Sequence, residues 1–136
     1  MLRKDYIVRQ LEEFGKVMAV ILNLKKDHNW DKFEYEINSA VLKFTQLEIT
    51  QLENIDTLNF KKEVILNSNL SHDQLLILAD LLYEKMNFYA EIEQEEKYNN
   101  LKQKCLTLYK YLQTNFTENE FNMNVYYKLE ILKTNS

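Results

Sequence analysis

Apolar residues recur along the first 25 residues at intervals of three and four, which predicts a helix over residues 3–25. A second apolar stripe lies beside the first and widens the apolar arc in the second half of this helix. An arc of this width predicts burial on two sides, or on one side plus a partner. The first stripe is Ile7, Leu11, Phe14, Met18 and Ile21, and the second is Val17, Val20 and Leu24.

The same spacing predicts five further helices joined by short polar connectors. One begins at Trp30 and runs into residues 47–53, and the pattern leaves open whether it ends near Glu48 or continues to Asn54. The next covers residues 57–67 with Leu58, Val64 and Ile65 inward. The others cover residues 71–89, the region around 101–112, and the region from 118 to about 132. Their expected N-caps are Asn29, Asp56, Ser71 with Gln74, and Thr117 with Glu120.

These elements predict an all-α fold in a single domain over residues 1–136. Short connectors favour antiparallel neighbours, so we expect five or six antiparallel helices stacked as helical hairpins. The chain has one glycine and no proline. That scarcity excludes β-hairpins, the phosphate-binding loop and the dinucleotide-binding turn, which all need glycines in short stretches.

The formal net charge of −4 argues against nucleic-acid binding. Such binding would need a local lysine face, for which Lys102, Lys104 and Lys110 are the candidates. No stretch approaches 18 apolar residues, so no membrane span is expected. No signal peptide is predicted either, because the apolar run at 17–22 is short and acidic residues precede it. A cytoplasmic location is therefore expected.

The chemistry-bearing residues predict neither a metal site, a cofactor nor a catalytic group. His28, His72 and Cys105 lack metal-ligand spacing. Both histidines are expected in exposed connectors, with His72 at the first position of its helix. Cys105 falls on an apolar helix face, which predicts an inert core thiol.

The best-placed carboxylate pair is Asp80 and Glu84, one helical turn apart. A solvated helix face is the expected setting. The alternative is a groove that binds a cation, a basic partner or a small ligand. The acidic run at 91–96 lacks a calcium-loop pattern and is expected to be an exposed turn.

Gly15 and Ala19 are four residues apart, a spacing that lets another helix approach closely. In this chain it predicts an intramolecular crossing. Tyrosines concentrate in the C-terminal third, where they indicate either an interface or the amphipathic edges of helices. The tyrosines concerned are Tyr109, Tyr111, Tyr126 and Tyr127.

Two segments resemble a family of small bacterial proteins of unknown function. They are Arg3-Lys4-Asp5-Tyr6-Ile7 with the Gln10-Leu11 pair and the 17–22 run, and the stretch over residues 73–85. The segment at 104–109 resembles the second helix of a tetratricopeptide repeat, although the full repeat pattern with its closing proline is absent. The resemblance implies an all-helical, tetratricopeptide-like fold and carries no functional residues with it.

The function expected from these observations is that of a non-catalytic protein-interaction or assembly module. Its partner is a protein or a second copy of the chain. The alternative is a small-ligand or metal-binding helical protein, including an enzyme, that uses a groove near Asp80 and Glu84. The candidate interaction residues are Gly15, Val17, Val20, Leu24, Tyr111, Tyr126 and Tyr127.

Overall fold

The computed structural model describes residues 2–115 and 123–134, and it gives side chains from residue 5 and from residue 124 onward in those ranges. The described residues form α-helices and one π-helical segment, with no β-strand among them. This confirms the all-α class. The elements are α1 Leu2–Lys26, α2 Trp30–Thr45, α3 Ile49–Asn54, α4 Thr57–Phe60, the π-helix Lys61–Leu66, α5 His72–Glu91, α6 Glu95–Thr114 and α7 Met123–Thr134.

The described ranges hold seven α-helices, so the expected number of five or six was too low. The second predicted helix is divided in two: α2 ends at Thr45 and α3 begins at Ile49. The Thr45 hydroxyl donates to the Val41 carbonyl at 2.6 Å and accepts from the Leu47 amide at 3.2 Å. Gln46 then adopts a left-handed conformation with φ 64°, which ends α2.

The expected N-caps are found at three helix starts. Asn29 caps α2, and Asp56 accepts from the Asn59 amide at 2.8 Å to cap α4. Ser71 and Gln74 form the reciprocal capping box of α5, with distances of 2.9 and 3.1 Å. Thr117 and Glu120, the expected fourth cap, lie outside the described residues.

Left-handed residues that are not glycines complete three of the connections. His28, Gln46 and Glu93 have φ values of 57°, 64° and 58°. Side chains with a Cβ adopt this conformation at a cost, and glycine usually occupies such positions after a helix. A chain with its one glycine inside α1 closes these connections with side-chain-bearing residues instead.

The 57–67 segment differs from its prediction. It is α4 followed directly by the π-helix, in which the Asn67 amide donates to the Lys62 carbonyl at 2.9 Å. Val64 and Ile65 are buried as expected, but Leu58 is 84% exposed and Phe60 is buried in its place. The π register changes the angular step along the chain, so the simple helical spacing that placed Leu58 inward does not hold.

The helices pack in the order α1, α2, α5, α6 and α7, each against the next, while α3, α4 and the π-helix pack on α6. The apolar spacing predicts core positions that are buried in α2, α5 and α6, except Trp30, which is half-buried. The buried ones are Phe33, Ile37, Ala40, Val41 and Phe44 in α2, Leu75, Leu78, Ala79, Leu82 and Met86 in α5, and Leu101, Cys105, Leu108, Tyr109 and Leu112 in α6. In α7 the predicted positions Val125, Leu129 and Leu132 are buried, and Phe121 lies outside the described residues. In α1 only Ile21 is fully buried among the described side chains, and Leu11 is exposed against expectation. No helix in the described ranges is long and apolar enough to cross a membrane.

Candidate interaction surface

The interior holds a charged cluster around Lys85, whose side chain is almost fully buried. Its Nζ lies 2.9 Å from Asn38 Oδ1, 3.2 Å from Glu34 Oε2 and 3.6 Å from Glu53 Oε1. Tyr89 donates to the other oxygen of Glu53 at 2.6 Å, and burial together with that carboxylate raises the pKa of Tyr89 far above its ordinary value. The cluster joins α2, α3 and α5, and its polar groups satisfy one another.

Lys104 is a second buried cation, and it closes the C-terminal end of α3. Its Nζ donates to the carbonyls of Leu52 and Glu53 at 2.7 and 2.9 Å. Asn100 adds a 2.7 Å bond to the same Glu53 carbonyl. Burial lowers the pKa of Lys104, and the Glu53 carboxylate opposes that shift. The ammonium group supplies the donors that the last carbonyls of a helix lack.

The lysine face considered for nucleic-acid binding does not exist as a surface. Lys102 and Lys104 are buried and only Lys110 is exposed. The Lys102 ammonium lies 6.0 Å from the centre of the Tyr98 ring. Lys104 points to the carboxyl end of α3, and Lys102 lies about 160° from it around α6, so the three lysines do not share a face.

Asp80 and Glu84 do not lie on a solvated face, because lysines of the same chain pair with both carboxylates. Asp80 Oδ1 accepts from the Tyr109 hydroxyl at 2.6 Å and from Lys128 Nζ at 2.9 Å. Glu84 accepts from Lys25 Nζ at 3.0 Å. These two carboxylates therefore hold α7 and α1, respectively, against α5.

Cys105 is fully buried beside this pair, as expected. Burial raises its pKa well above the ordinary value, so the group is a thiol at neutral pH. His28 is exposed, as expected, and its ring lies edge-on to Trp30. His72 stands at the first position of α5, as predicted, but is half-buried. The described residues hold no group of three or more histidine, cysteine or carboxylate side chains placed to bind a metal ion.

Two pockets on the described surface are open to solvent and lined by both polar and apolar side chains. One of about 350 Å³ lies between α1 and the end of α2, lined by Tyr6, Arg9, Gln10, Glu13, Lys43 and Phe44. Glu13 and Lys43 form an ion pair across it. Another, of about 300 Å³, lies at the α5–α6 connection beside Tyr89 and Tyr98. The acidic run around it is exposed, as expected.

A stripe of exposed apolar residues runs along α1 beside its buried face. We call it the outer stripe, and it consists of Val8, Leu11, Gly15, Ala19 and Leu22, all exposed. Val8, Leu11 and Leu22 keep 45%, 38% and 44% of their surface accessible. Exposed large apolar side chains aligned on one helix face are a recognised feature of interaction sites.

Gly15 does not mark an intramolecular crossing. A Cβ placed on it would meet no atom within 4 Å, and Ala19 is exposed beside it. The expectation was wrong because α1 packs on α2 and α5 through a different face, which carries Phe14, Val17 and Ile21. Within the described residues, the glycine therefore has no packing role.

The structure divides the other candidate residues into two groups. Val17, Leu24 and Tyr111 are half-buried against the core, so the chain already covers much of their surface. Val20 is exposed on the side of α1 opposite the outer stripe. On α7, Tyr126 and Tyr127 are exposed with ring centres 5.8 Å apart, and Ile131 is exposed next to them.

Sequence reasoning did not find the outer stripe as a unit. It assigned Leu11 to the core and treated Gly15 with Ala19 separately. Val8 and Leu22 were not singled out. The signal was present as an apolar spacing of three and four residues from Val8 to Leu22, parallel to the core stripe.

No protein-family model matches this chain, and no curated protein or solved structure matches it significantly. The resemblance to a small bacterial helical family therefore remains a prediction.

Proposed function

We propose that this chain is a non-catalytic protein-interaction or assembly module. The observation that carries the proposal is the outer stripe of α1, where three large apolar side chains keep 38–45% of their surface exposed and the glycine has no packing contact among the described residues. In contrast, the buried carboxylates and lysines described above are paired within the chain. The surface, and not the interior, is where this molecule has unsatisfied binding capacity.

The arrangement proposed for the module is a tetratricopeptide-like stack with α1 and α7 as its two ends. Its support is the packing order α1, α2, α5, α6, α7, in which each helix contacts the next. Terminal helices of a stack normally carry polar outer faces. Here α1 carries the outer stripe and α7 carries Tyr127 and Ile131 on its outward side. The cytoplasmic location expected from the sequence remains part of this proposal.

The test compares retention of binding proteins by the immobilised chain and by surface variants. Ala19→Glu places a charge in the outer stripe, and Tyr127→Ser with Ile131→Ser removes the apolar side of α7. Both changes fall at exposed positions, so circular dichroism should show unchanged helix content. We expect proteins from the source cell, or the chain itself, to bind the wild type and to be lost with at least one variant. Identical retention by all three forms would refute the proposed function.

A further inference from the structure

We propose that the outer stripe binds a second copy of this chain, with the two α1 helices antiparallel about a twofold axis at Gly15. The inference rests on the proposed function and names its partner. The five stripe residues lie within an arc of about 80° at the 100° step of an α-helix. They form one continuous face beside the buried face of α1.

The positions of the stripe residues are symmetric about Gly15. Leu11 and Ala19 lie four residues before and after it, and Val8 and Leu22 lie seven residues before and after it. An antiparallel twofold axis at Gly15 therefore brings Leu11 opposite Ala19 of the partner subunit, and Val8 opposite Leu22 of the partner subunit. Each of these contacts occurs twice, once from each subunit, as an isologous interface requires.

Gly15 would lie where the two helices approach most closely. Apart from the adjoining backbone of α1, no described atom lies within 4 Å of the place where its Cβ would be, so the partner backbone has room to approach. A glycine in a helix interior costs about 1 kcal/mol relative to alanine. The fold offers no compensation for that cost, whereas a close helix crossing between subunits does.

Charges along one flank of the stripe select the antiparallel orientation. Glu12 and Lys16 are exposed on the same flank. A twofold axis perpendicular to the helices keeps the two charged flanks together. Glu12 then lies two residues along the axis from Lys16 of the partner subunit, and the two Lys16 residues lie two residues from each other. The four charges follow one another as Glu12, Lys16 of the partner subunit, Lys16 and Glu12 of the partner subunit, so opposite charges are neighbours in two of the three successive pairs. Such pairs set orientation more than they add affinity.

A parallel pair would lose this complementarity. The charged flank of each helix would face the other flank of its partner, where Ile7 and Met18 lie half-buried. The helix dipoles also favour the antiparallel pair, because each helix end then lies next to an end of opposite partial charge.

The size of the stripe predicts a weak dimer. From Val8 to Leu22 the helix rises about 21 Å. A contact of that length buries less than the roughly 1,200–2,000 Å² of most stable complexes. We therefore expect dissociation constants in the micromolar range and a monomer–dimer equilibrium that follows concentration.

The first test measures mass by sedimentation equilibrium from about 1 to 300 μM, a range that brackets micromolar dissociation constants. We expect the average mass to rise from 16.5 kDa towards twice that value. Ala19→Glu should hold the chain at the monomer mass over the whole range. Val20→Glu is the matched control, because it introduces the same charge one residue away on the opposite side of α1, and it should dimerise like the wild type.

The second test determines the orientation by disulfide trapping. Mixing Val8→Cys with Leu22→Cys should give a cross-linked heterodimer under mild oxidation, and Gly15→Cys should cross-link to itself. Val8→Cys alone should cross-link at least tenfold less. The native Cys105 is fully buried and does not compete in the folded chain. Efficient self-linking of Val8→Cys would overturn the antiparallel arrangement.

The outcomes separate this inference from the proposed function. A wild type that stays monomeric to 300 μM overturns the dimer, and so does a Val20→Glu variant that loses dimerisation while Ala19→Glu keeps it. If the monomer still binds another protein through the outer stripe, the interaction function survives and only its partner was wrong. The dimer and the interaction function both fail if Ala19→Glu changes neither the average mass nor the retention of binding proteins.

Discussion

The three left-handed residues show how a chain with one glycine ends its helices. Gln46 follows α2 with φ 64°, and its backbone amide donates to the Leu42 carbonyl to close the last turn. The conformation is required by the change of direction between α2 and α3. The side chain at this position makes the conformation less favourable than it would be for glycine.

Gln46→Gly should therefore raise the free energy of unfolding by about 1 kcal/mol, because it removes the left-handed penalty. The matched control is Gln103→Gly, which places the same change at an exposed position inside α6, where the backbone is helical. The control should lower stability by somewhat less than 1 kcal/mol. Urea unfolding of the two variants checks the prediction, and a Gln46→Gly variant no more stable than the wild type would contradict it.

Cys105 gives the stability a dependence on pH. Its folded pKa is raised by burial, so its contribution is fully present below the ordinary pKa of 9.0 and is lost as pH rises above that value. Above pH 9.0 the unfolded thiol ionises while the folded one does not. Each further pH unit then lowers the free energy of unfolding by up to about 1.4 kcal/mol.

Cys105→Ala should remove the part of the stability loss at alkaline pH that the thiol causes. The variant starts less stable at pH 7, since a buried group has been shortened. Between pH 9 and pH 10.5 the difference between wild type and variant should narrow, because only the wild type loses stability through the thiol. Denaturant unfolding at a series of pH values measures this difference. A constant difference across the range would mean that the thiol ionises equally well in the folded state.

At the scale of the elements, ionic contacts hold the helices together at specific points. Lys25 with Glu84 connects α1 to α5, and Lys85 with Glu34 and Glu53 connects α5 to α2 and α3. Lys128 with Asp80 connects α7 to α5, and the Lys128 ammonium also lies 5.1 Å from the centre of the Tyr83 ring. Apolar contacts supply most of the packing, while these pairs fix which surfaces meet.

The Asp80–Lys128 pair predicts coupling between α5 and α7. In a double-mutant cycle of Asp80→Asn and Lys128→Met, we expect a coupling free energy of about 1–2 kcal/mol, as for contacting charged groups. Asparagine keeps an oxygen that can accept from Tyr109, so the cycle isolates the ion pair. Amide exchange in α7 should accelerate in both single variants. Additive effects of the two substitutions would show that the pair contributes nothing to docking.

At the scale of the whole molecule, burial is distributed unequally along the stack. α5 contacts α1, α2 and α6 and contributes many buried side chains. The first half of α1 has no fully buried side chain among those described. It is held to α2 by the contact of the Phe14 ring with the Phe44 ring and by the Glu13–Lys43 ion pair. Segments with few buried contacts open locally without global unfolding.

Amide exchange should therefore be slow in the well-buried α5 and fast in the first half of α1. At low micromolar concentration, amides of residues 6–15 should exchange at least about tenfold faster than those of α5, which should exchange only by global opening. Exchange measured by mass spectrometry or NMR tests the prediction. Equal protection of the two segments in the monomer would contradict it.

The sequence by itself determined the all-α class, the caps at Asn29, Asp56 and Ser71, and the core positions of α2, α5, α6 and α7. Each of these depends on residues within one helix or one turn, where spacing and local hydrogen bonds decide the outcome. Cys105 belongs to the same group, since its apolar neighbours on α6 indicated its burial.

Only the tertiary structure decided where the charged residues and the glycine lie. Lys25 and Glu84 are 59 positions apart, and Lys104 meets carbonyls more than 50 positions away. No local pattern shows that Lys85 and Lys104 are buried, that Leu58 points outward, or that Gly15 has no packing contact among the described residues. Those facts depend on which distant segment covers each face, and a periodic sequence states only that a face is apolar or polar.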